Sequence, residues 1–309
     1  MKKIARPLWW LLPMLAVLLI VWVCNASRAG RRAEGCPREC AEAPSTEGGR
    51  LRVVSLNILH GHPKFENLAT RLEMAAAEIL HLDADIALLQ EVPWTRKLGN
   101  GAEYLALHTG MNYLYLRANG NRWTIFFEEG EAILSRYPLS NASIAELEPR
   151  AGFFEHRVVL HAAASTPLGE IDLFVTHLTN GAEDINHGQA ESLKAFVEQT
   201  ATGPAIIAGD FNATDDRPQI RLLTEDWVDA YRAANPDQAG LTCCIDDLSN
   251  GPSEPLEKRI DYIFWRPQSP PRVRWISVER AFAQPFPVAG GWQWVSDHVG
   301  LVAVLEIEP

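Results

Sequence analysis

The stretch Ile206-Ile207-Ala208-Gly209-Asp210-Phe211-Asn212 joins a short apolar run to a carboxylate and an amide. The run over residues 205–208 is typical of a buried strand. Gly209 is expected to end this strand and let the backbone turn. Asp210 and Asn212 would then project from the carboxyl end of the strand, where open α/β sheets place ligand sites. An Asx turn would give the same local pattern, so the rest of the chain has to decide between the two interpretations.

Polar side chains recur at the edges of other predicted strands. They are Asn57 at the end of strand 51–57, Glu91 after 85–90, His177 after 170–176, and Asp297 with His298 before 299–307. Asp261 lies within a further strand, 259–264. Folding should bring several of these groups to one sheet edge. A full set of acids, amides and histidines with no structural task is improbable, which favours a functional site.

The predicted elements alternate between helices and strands. Apolar residues at helical spacing predict a helix over residues 65–81, so that strand 51–57, this helix and strand 85–90 form a β-α-β unit. Strands 157–163 and 170–176 flank Thr166-Pro167-Leu168-Gly169 and read as a hairpin. A helix over residues 187–199 precedes the opening stretch. This pattern predicts two packed sheets covered by helices, an α/β architecture.

The chemistry that such a set suits is metal-assisted attack of water on a phosphate ester. Hard oxygen ligands such as Glu91 and the Asn57 amide suit Mg²⁺, with Mn²⁺ as an alternative ion. Asp210 would orient or deprotonate the attacking water, and Asn212 would hold the water or a phosphate oxygen.

The two histidines have a separate predicted task. His177 and His298 could donate hydrogen bonds to phosphate oxygens or protonate the leaving oxygen. Asp261 would fix the tautomer of one of them, with His298 the preferred partner, although Asp261 could instead pair with Arg259.

Together these residues resemble the endonuclease/exonuclease/phosphatase superfamily of deoxyribonuclease I-like phosphoesterases. The resemblance is carried by motifs in the family's order: Asn57, Leu89-Gln90-Glu91, Ala132-Ile133-Leu134-Ser135-Arg136-Tyr137-Pro138, Thr176-His177-Leu178, Gly209-Asp210-Phe211-Asn212, Arg259-Ile260-Asp261-Tyr262 and Ser296-Asp297-His298. It covers residues 51–308 and implies a four-layered α/β sandwich, two packed mixed β-sheets flanked by helices.

The resemblance also implies a role for each matched position. Asn57 and Glu91 match metal-binding positions, and Asp297 matches an acid near the metal and the phosphate. His177, Asp210, Asn212, Asp261 and His298 match the catalytic positions. With no core position missing, we expect an active enzyme, and the alternative is a membrane-anchored, non-catalytic binding module that keeps the fold.

The N-terminus has its own character. Lys2, Lys3 and Arg6 precede an apolar run over residues 8–24 that only Pro13 interrupts. We expect residues 1–24 to be an uncleaved signal-anchor, with a cleaved signal peptide as the alternative. Residues 25–49 lack apolar periodicity and are expected to be a flexible tether, and residues 50–309 to be the catalytic domain.

Five cysteines are present: Cys24, Cys36, Cys40, Cys243 and Cys244. No spacing matches a zinc site, and the last four are compatible with disulfides of open connectivity. We therefore expect a membrane-anchored or secreted monomer whose catalytic domain lies outside the cytoplasm.

The substrate stays open between nucleic acid and phospholipid. Residues 1–50 carry 8 Lys/Arg and 4 Asp/Glu, whereas the remaining residues carry 20 and 35, a net charge of −15. An acidic body disfavours passive binding to DNA or to anionic lipid. No long exposed apolar hairpin is evident for gripping a membrane, and Trp123, Phe126 and Phe127 are more typical of core packing than of contact with a base or a lipid.

Overall fold

The computed structural model describes residues 11–41, 49–268 and 272–308. The helices in these ranges are α1 (Leu11–Cys24), α2 (Leu68–His81), α3 (Gly101–Thr109), α4 (Glu183–Thr200), α5 (Pro218–Thr224) and α6 (Ala230–Ala234). The strands are β1 (Glu34–Cys36), β2 (Arg50–Asn57), β3 (Ile86–Thr95), β4 (Gly99–Asn100), β5 (Asn112–Asn121), β6 (Phe127–Ser135), β7 (Leu139–Glu146), β8 (Val158–Thr166), β9 (Gly169–His177), β10 (Ala205–Asp210), β11 (Val228–Asp229), β12 (Asp261–Arg266), β13 (Arg272–Ala281), β14 (Phe286–Val288), β15 (Gly291–Gln293) and β16 (Gly300–Glu308).

Two large mixed sheets form the centre of the molecule. The first has the strand order β1-β5-β6-β3-β2-β16-β13, with β4 paired to β3, and the second has the order β11-β12-β10-β9-β8-β7. The neighbours β2 and β3 are parallel, as are β9 and β10. This confirms the predicted β-α-β unit through α2, and the antiparallel β8–β9 pair confirms the predicted hairpin.

The sheets pack face to face, with helices on the outer faces. Buried side chains of both sheets share one core, represented by Val53 and Leu173, while Val54 of the same strand β2 packs in a second core with Leu72 of α2. A third core holds Leu193 of α4 against the other sheet. Because both faces of the strands are covered, apolar residues run on without a polar alternation. The predicted four-layered α/β sandwich is confirmed.

The N-terminal helix α1 begins at Leu11, so the first part of the predicted anchor, residues 1–10, lies outside the described residues. Within the ranges that the structure describes, no helix has both the length and the apolar character needed to cross a membrane.

The segment after α1 differs from the expected flexible tether over residues 25–41. Ser27 Oγ donates to the Phe154 carbonyl at 2.7 Å, and Gly30 N donates to the Arg117 carbonyl at 2.8 Å. β1 then pairs with β5 through the register Glu34–Tyr115 to Cys36–Tyr113. Apolar periodicity could not reveal this, because main-chain hydrogen bonds hold the segment. The remainder of the predicted tether, residues 42–48, lies outside the described residues.

The cysteines pair with near neighbours. Disulfides join Cys36 to Cys40 and Cys243 to Cys244. Cys24 is free. Cys243 also forms isolated β-bridges with Lys258 and with His298, so the second pair lies directly behind two of the predicted site segments.

Candidate active site

Strand register brings the predicted catalytic residues of the second sheet into one row. His177 of β9 lies opposite Asp210 of β10, and Asp210 lies opposite Asp261 of β12. Gly209 is part of β10 rather than its end, in contrast to the expected turn. A Cβ atom at Gly209 would lie 2.0 Å from the Thr176 carbonyl oxygen, so the glycine is required for close approach of β9 and β10.

The two sheets meet at this edge through Asn57 of β2. Its Nδ2 atom donates to Asp210 Oδ2 at 3.1 Å and to Glu91 Oε1 at 3.2 Å. Its Oδ1 atom accepts from Leu59 N at 3.0 Å, which fixes the orientation of the amide. Asn57 therefore links a residue from each sheet.

Glu91 reaches the site through an irregularity in β3. The register of the β3–β6 pair shifts between Leu89 and Val92, and Glu91 has a φ of 53°. This left-handed conformation is uncommon for a residue other than glycine and is typical of functional positions. The predicted strand 85–90 thus continues beyond Glu91 to Thr95 instead of ending there.

Asn212 holds His177. Asn212 Nδ2 donates to the Leu178 carbonyl at 3.0 Å, which identifies it as the amide nitrogen, and it lies 3.0 Å from His177 Nε2. A neutral His177 therefore accepts at Nε2 and carries its proton on Nδ1. This Nδ1 atom is buried without a hydrogen-bond partner and lies 4.0 Å from Glu91 Oε1, so a donor is available for a ligand beside Glu91.

His298 and Asp261 form the second pair. His298 Nδ1 lies 2.9 Å from Asp261 Oδ2, and His298 Nε2 lies 3.7 Å from Asp210 Oδ2. The competing partner of Asp261 is occupied elsewhere, because Arg259 pairs with Asp229 at 2.7 Å. The geometry thus agrees with Asp261 orienting His298.

Burial and opposite charges set the protonation of the histidines. Burial alone would lower the pKa of His298, but the carboxylates of Asp261 and Asp210 outweigh it and raise the pKa well above the usual value. For His177, burial and the positive charge of Arg157 hold the pKa well below the usual value. These opposite directions favour a protonated His298 and a neutral His177.

Buried acids crowd the site. Burial and the Asp261 charge raise the pKa of Asp210 to about 7. Burial also raises the pKa of Asp297. The positive charge of His298 opposes this rise, and the negative charge of Glu91 increases it. Glu131 of β6 is fully buried, and burial together with the neighbouring Glu129 raises its pKa well above the usual value. A divalent cation beside Glu91 would relieve this repulsion and lower the pKa of each acid that faces it.

The charge of Glu91 acts on Asp297, and the two carboxylates are the hard oxygen ligands that Mg²⁺ accepts. Asn57 differs from the expectation in its orientation, because its nitrogen rather than its oxygen faces Glu91. In this conformation Asn57 positions the Glu91 carboxylate. Within the described residues, Asp210, Asp261 and His298 form a further group whose ligand atoms lie within 4.8 Å of one another.

Arg71 lies near the site and escaped the sequence-based predictions. The guanidinium of Arg71 on α2 is buried and donates to the carbonyls of Ile58, Leu59 and Val295, so it holds the loop after β2 against the segment before Ser296. A charged residue at helical spacing from Leu68 and Ala75 on the apolar stripe was a usable signal.

Two histidines and an arginine next to these residues add further contacts. His60 N donates to Glu91 Oε2 at 3.2 Å, and His62 stacks on Phe127 with ring centroids 4.4 Å apart. Arg157 pairs with Glu155 at 2.9 Å, and its charge also reaches His177. Trp123 is 83% exposed, in contrast to the core packing that was expected.

Two mixed sheets that present these acids, amides and histidines at a shared edge define the deoxyribonuclease I-like α/β class of fold. The chain belongs to the endonuclease/exonuclease/phosphatase family, whose sequence profile matches residues 54–298. Members of this family are in general hydrolytic phosphoesterases.

Solved structures share the fold at low sequence identity. A family protein from Bacteroides thetaiotaomicron has a TM-score of 0.68 and 16% identity, covering 84% of this chain and 98% of its own. TDP2 of D. rerio, humanized by 14 mutations, has a TM-score of 0.64 and 17% identity over 84% of this chain and 100% of its own. Truncated Caenorhabditis elegans TDP2 has a TM-score of 0.62 and 21% identity over 85% and 100%. Among curated proteins, no sequence matches this chain significantly.

Proposed function

We propose that this protein is a divalent-metal-dependent phosphodiester hydrolase. The observation that carries the proposal is the row His177–Asp210–Asp261, joined to Glu91 of the other sheet through the Asn57 amide. Family membership supports hydrolysis of a phosphate ester in general. The metal, Mg²⁺ or Mn²⁺, and the diester are the finer parts of the proposal.

Glu91 and Asp297 would hold the metal, with Asn57 aligning the Glu91 carboxylate. When bound, the ion supplies charge stabilisation to the phosphate oxygens. Asp210 would orient and deprotonate the attacking water. His177 offers its Nδ1 proton to a phosphate oxygen, and Asn212 keeps that tautomer in place by donating to Nε2. His298, held by Asp261, is positioned to give a proton to the leaving oxygen.

The N-terminal segment is proposed to anchor the protein to a membrane, with the catalytic domain outside the cytoplasm. The apolar character of α1 supports this, and the Cys36–Cys40 and Cys243–Cys244 disulfides support an oxidising compartment. We propose a monomer. Cell fractionation of the full chain and of a chain lacking residues 1–21 tests the anchor, and membrane association of the shortened chain as strong as that of the full chain would refute it.

The hydrolase proposal is tested with purified protein, Mg²⁺ or Mn²⁺, and three substrates: bis-p-nitrophenyl phosphate, plasmid DNA and sphingomyelin. We expect turnover of at least one, and a loss of about 100-fold or more in Asp210→Asn and His298→Ala. Wild-type turnover of none would favour the alternative, a membrane-anchored binding module that keeps the fold without catalysis. Full activity in both variants would refute the residue assignment.

A further inference from the structure

Helix α1 is apolar on every side, and the described part of the chain does not cover it. Leu11–Cys24 contains no charged residue, and the large apolar side chains from Leu12 to Trp22 are between 48% and 72% exposed. A helix that is apolar all round is stable only when buried in a core or in lipid. Its 14 residues extend over about 21 Å, less than the hydrocarbon thickness of a bilayer.

The helix is fastened to the β5–β6 hairpin. Trp22 Nε1 donates to the Thr124 carbonyl at 3.2 Å, and Thr124 Oγ1 donates to the Asn25 carbonyl at 3.1 Å. Asn121 Nδ2 also donates to Asn25 at 2.9 Å. The end of α1 therefore has a fixed position beside the hairpin tip, residues 122–126.

Exposed aromatic residues surround this attachment. They include Trp123 at the hairpin tip and Phe153 and Phe154 in the loop before β8, which are 83%, 66% and 49% exposed. We name these three residues the aromatic rim. Ser27 connects its two parts, because Ser27 Oγ donates to the Phe154 carbonyl at 2.7 Å and accepts from Gly120 N at 3.0 Å. Exposed Trp and Phe beside an apolar helix are typical of a membrane interface.

The charge at this attachment is opposite to that of the body. Arg28, Arg31 and Arg32 follow α1 and are exposed, whereas residues 51–309 carry a net charge of −15. Basic residues next to an apolar helix attract anionic lipid head groups. An anionic bilayer offers both the negative head groups that these arginines attract and the hydrocarbon that the apolar helix α1 requires.

The aromatic rim is also connected to the active site. Phe127 follows the hairpin tip and lies against His60 with ring centroids 5.1 Å apart, and His60 Nε2 lies 3.5 Å from Glu91 Oε2. On the other side, Asn119 Oδ1 accepts from His156 N at 2.7 Å, directly before Arg157. The β5–β6 hairpin and the loop before β8 thus carry both the aromatic rim and residues that lie beside the active site.

We propose that α1, the aromatic rim and the three arginines form one surface that docks on an anionic phospholipid bilayer and fixes the catalytic cleft at the head-group level. Resting on the proposed hydrolase function, this makes the substrate a phosphoester of the lipid phase, not a nucleic acid in solution. The cleft would meet head groups without the protein leaving the membrane.

The docking surface is tested by tryptophan fluorescence of the full chain in vesicles of phosphatidylcholine and phosphatidylglycerol, with and without brominated acyl chains. Bromine quenches tryptophan at the interface, so we expect Trp123→Phe to remove a quenched part of the emission. Leu107→Ala on α3, at a side chain that is 78% exposed, is the control and should leave the quenching unchanged. Equal quenching in the wild type and Trp123→Phe would overturn the proposal.

The substrate class is tested by comparing two activities. In Trp123→Ala/Phe153→Ala/Phe154→Ala we expect hydrolysis of vesicle phospholipid to fall about 10-fold, a change of about 1.4 kcal/mol in barrier, with hydrolysis of soluble bis-p-nitrophenyl phosphate unchanged. Equal lipid turnover, or cleavage of plasmid DNA without lipid turnover, would overturn this part. If the wild type hydrolyses none of these substrates while Trp123 is quenched, the hydrolase proposal fails and the docking surface stands.

Discussion

Asn212 shows how one amide determines the state of a histidine. It occupies the left-handed region at a φ of 50°, which asparagine tolerates better than most residues, and from there its nitrogen reaches both Leu178 O and His177 Nε2. An aspartate at this position could not donate and would attract the His177 proton to Nε2, away from Glu91. Both the left-handed backbone conformation and the hydrogen bond to His177 therefore favour asparagine at this position.

Asn212→Asp is accordingly expected to lower kcat/KM for bis-p-nitrophenyl phosphate by about 100-fold or more, as when a donor to a reacting phosphate is lost. Asn212→Gly tolerates the left-handed backbone conformation and removes the amide, so its effect reports the loss of the hydrogen-bond donor without added backbone strain. Thermal unfolding of both variants serves as the control for folding. Wild-type kinetics in Asn212→Asp would show that the His177 tautomer does not matter for the reaction.

A second residue-scale prediction concerns stability and uses a buried pair outside the site. Asp172 lies 2.7 Å from His161 Nε2 and accepts from Thr202 N at 2.8 Å and Gly203 N at 2.9 Å. Burial alone would raise the pKa of Asp172, but these hydrogen bonds outweigh it and lower the pKa below the usual value. The stabilisation is therefore complete above the unfolded-state pKa and is lost as the pH falls through the folded-state pKa.

Asp172→Asn should lower the free energy of unfolding at neutral pH by about 1–3 kcal/mol, because buried donors lose a charged acceptor. Below about pH 4 the gap to the wild type should narrow. Urea unfolding across pH measures both effects, with the exposed Asp226→Asn as the matched variant. If the difference in free energy of unfolding between the wild type and Asp172→Asn stayed constant with pH, the pKa of Asp172 would not contribute to stability as we expect.

At the residue scale, the sequence identified those site residues that occupy strand ends in a known order. Neighbouring strands in a sheet bring residues at matching strand ends close together. For this reason His177, Asp210 and Asp261 could be grouped from the sequence alone. Arg71 was missed because its role depends on three carbonyls from two distant segments. The exposure of Trp123 was also missed, because aromatic residues are usually buried. Trp123 is exposed because it lies at the tip of a hairpin, and the position of that tip depends on the tertiary fold.

At the scale of elements, the sequence-based predictions succeeded where a segment has a strong apolar period and failed where local contacts decide. Helix α3 has a weak period, and it begins because Asn100 Oδ1 accepts from Ala102 N at 2.8 Å and ends at Gly110, which has a φ of 67°. Strand β7 is an edge strand in which only half of the residues are apolar, with a register shift between Ser140 and Ser143. Neither element has the pattern by which a buried strand or an amphipathic helix is recognised.

The packing of residues 25–36 leads to a prediction for that segment. β1 covers part of the β5 edge, and Ser27 and Gly30 add hydrogen bonds to the same sheet. A chain lacking residues 1–36 should therefore unfold at a Tm several degrees lower than one lacking residues 1–21, since about 1 kcal/mol corresponds to a few degrees in a domain of this size. Calorimetry of the two truncated chains decides this, and equal Tm values would mean that the segment adds no stability.

At the scale of the whole molecule, the candidate active site lies at the edge where the two sheets bring several buried acids together. Glu91, Glu131, Asp210 and Asp297 come from four separate segments, and burial is the largest cause of the raised pKa of the last three. A fold rarely concentrates buried carboxylates unless a cation balances them. Composition alone could not reveal this, because the net charge of −11 is a property of the surface as much as of the cleft.

A bound divalent ion should consequently stabilise the native protein as a whole. Saturating Mg²⁺ at about 100 times its dissociation constant would add about 2.7 kcal/mol to the free energy of unfolding, and EDTA would remove it. Glu91→Gln should abolish the rise in Tm with Mg²⁺, whereas Asp261→Asn should retain it if the ion lies at Glu91 and Asp297. The reverse pattern would move the ion to the group of Asp210, Asp261 and His298, whose ligand atoms lie within 4.8 Å of one another. Because the readout is thermal unfolding, the result locates the ion even for a substrate that has not yet been identified.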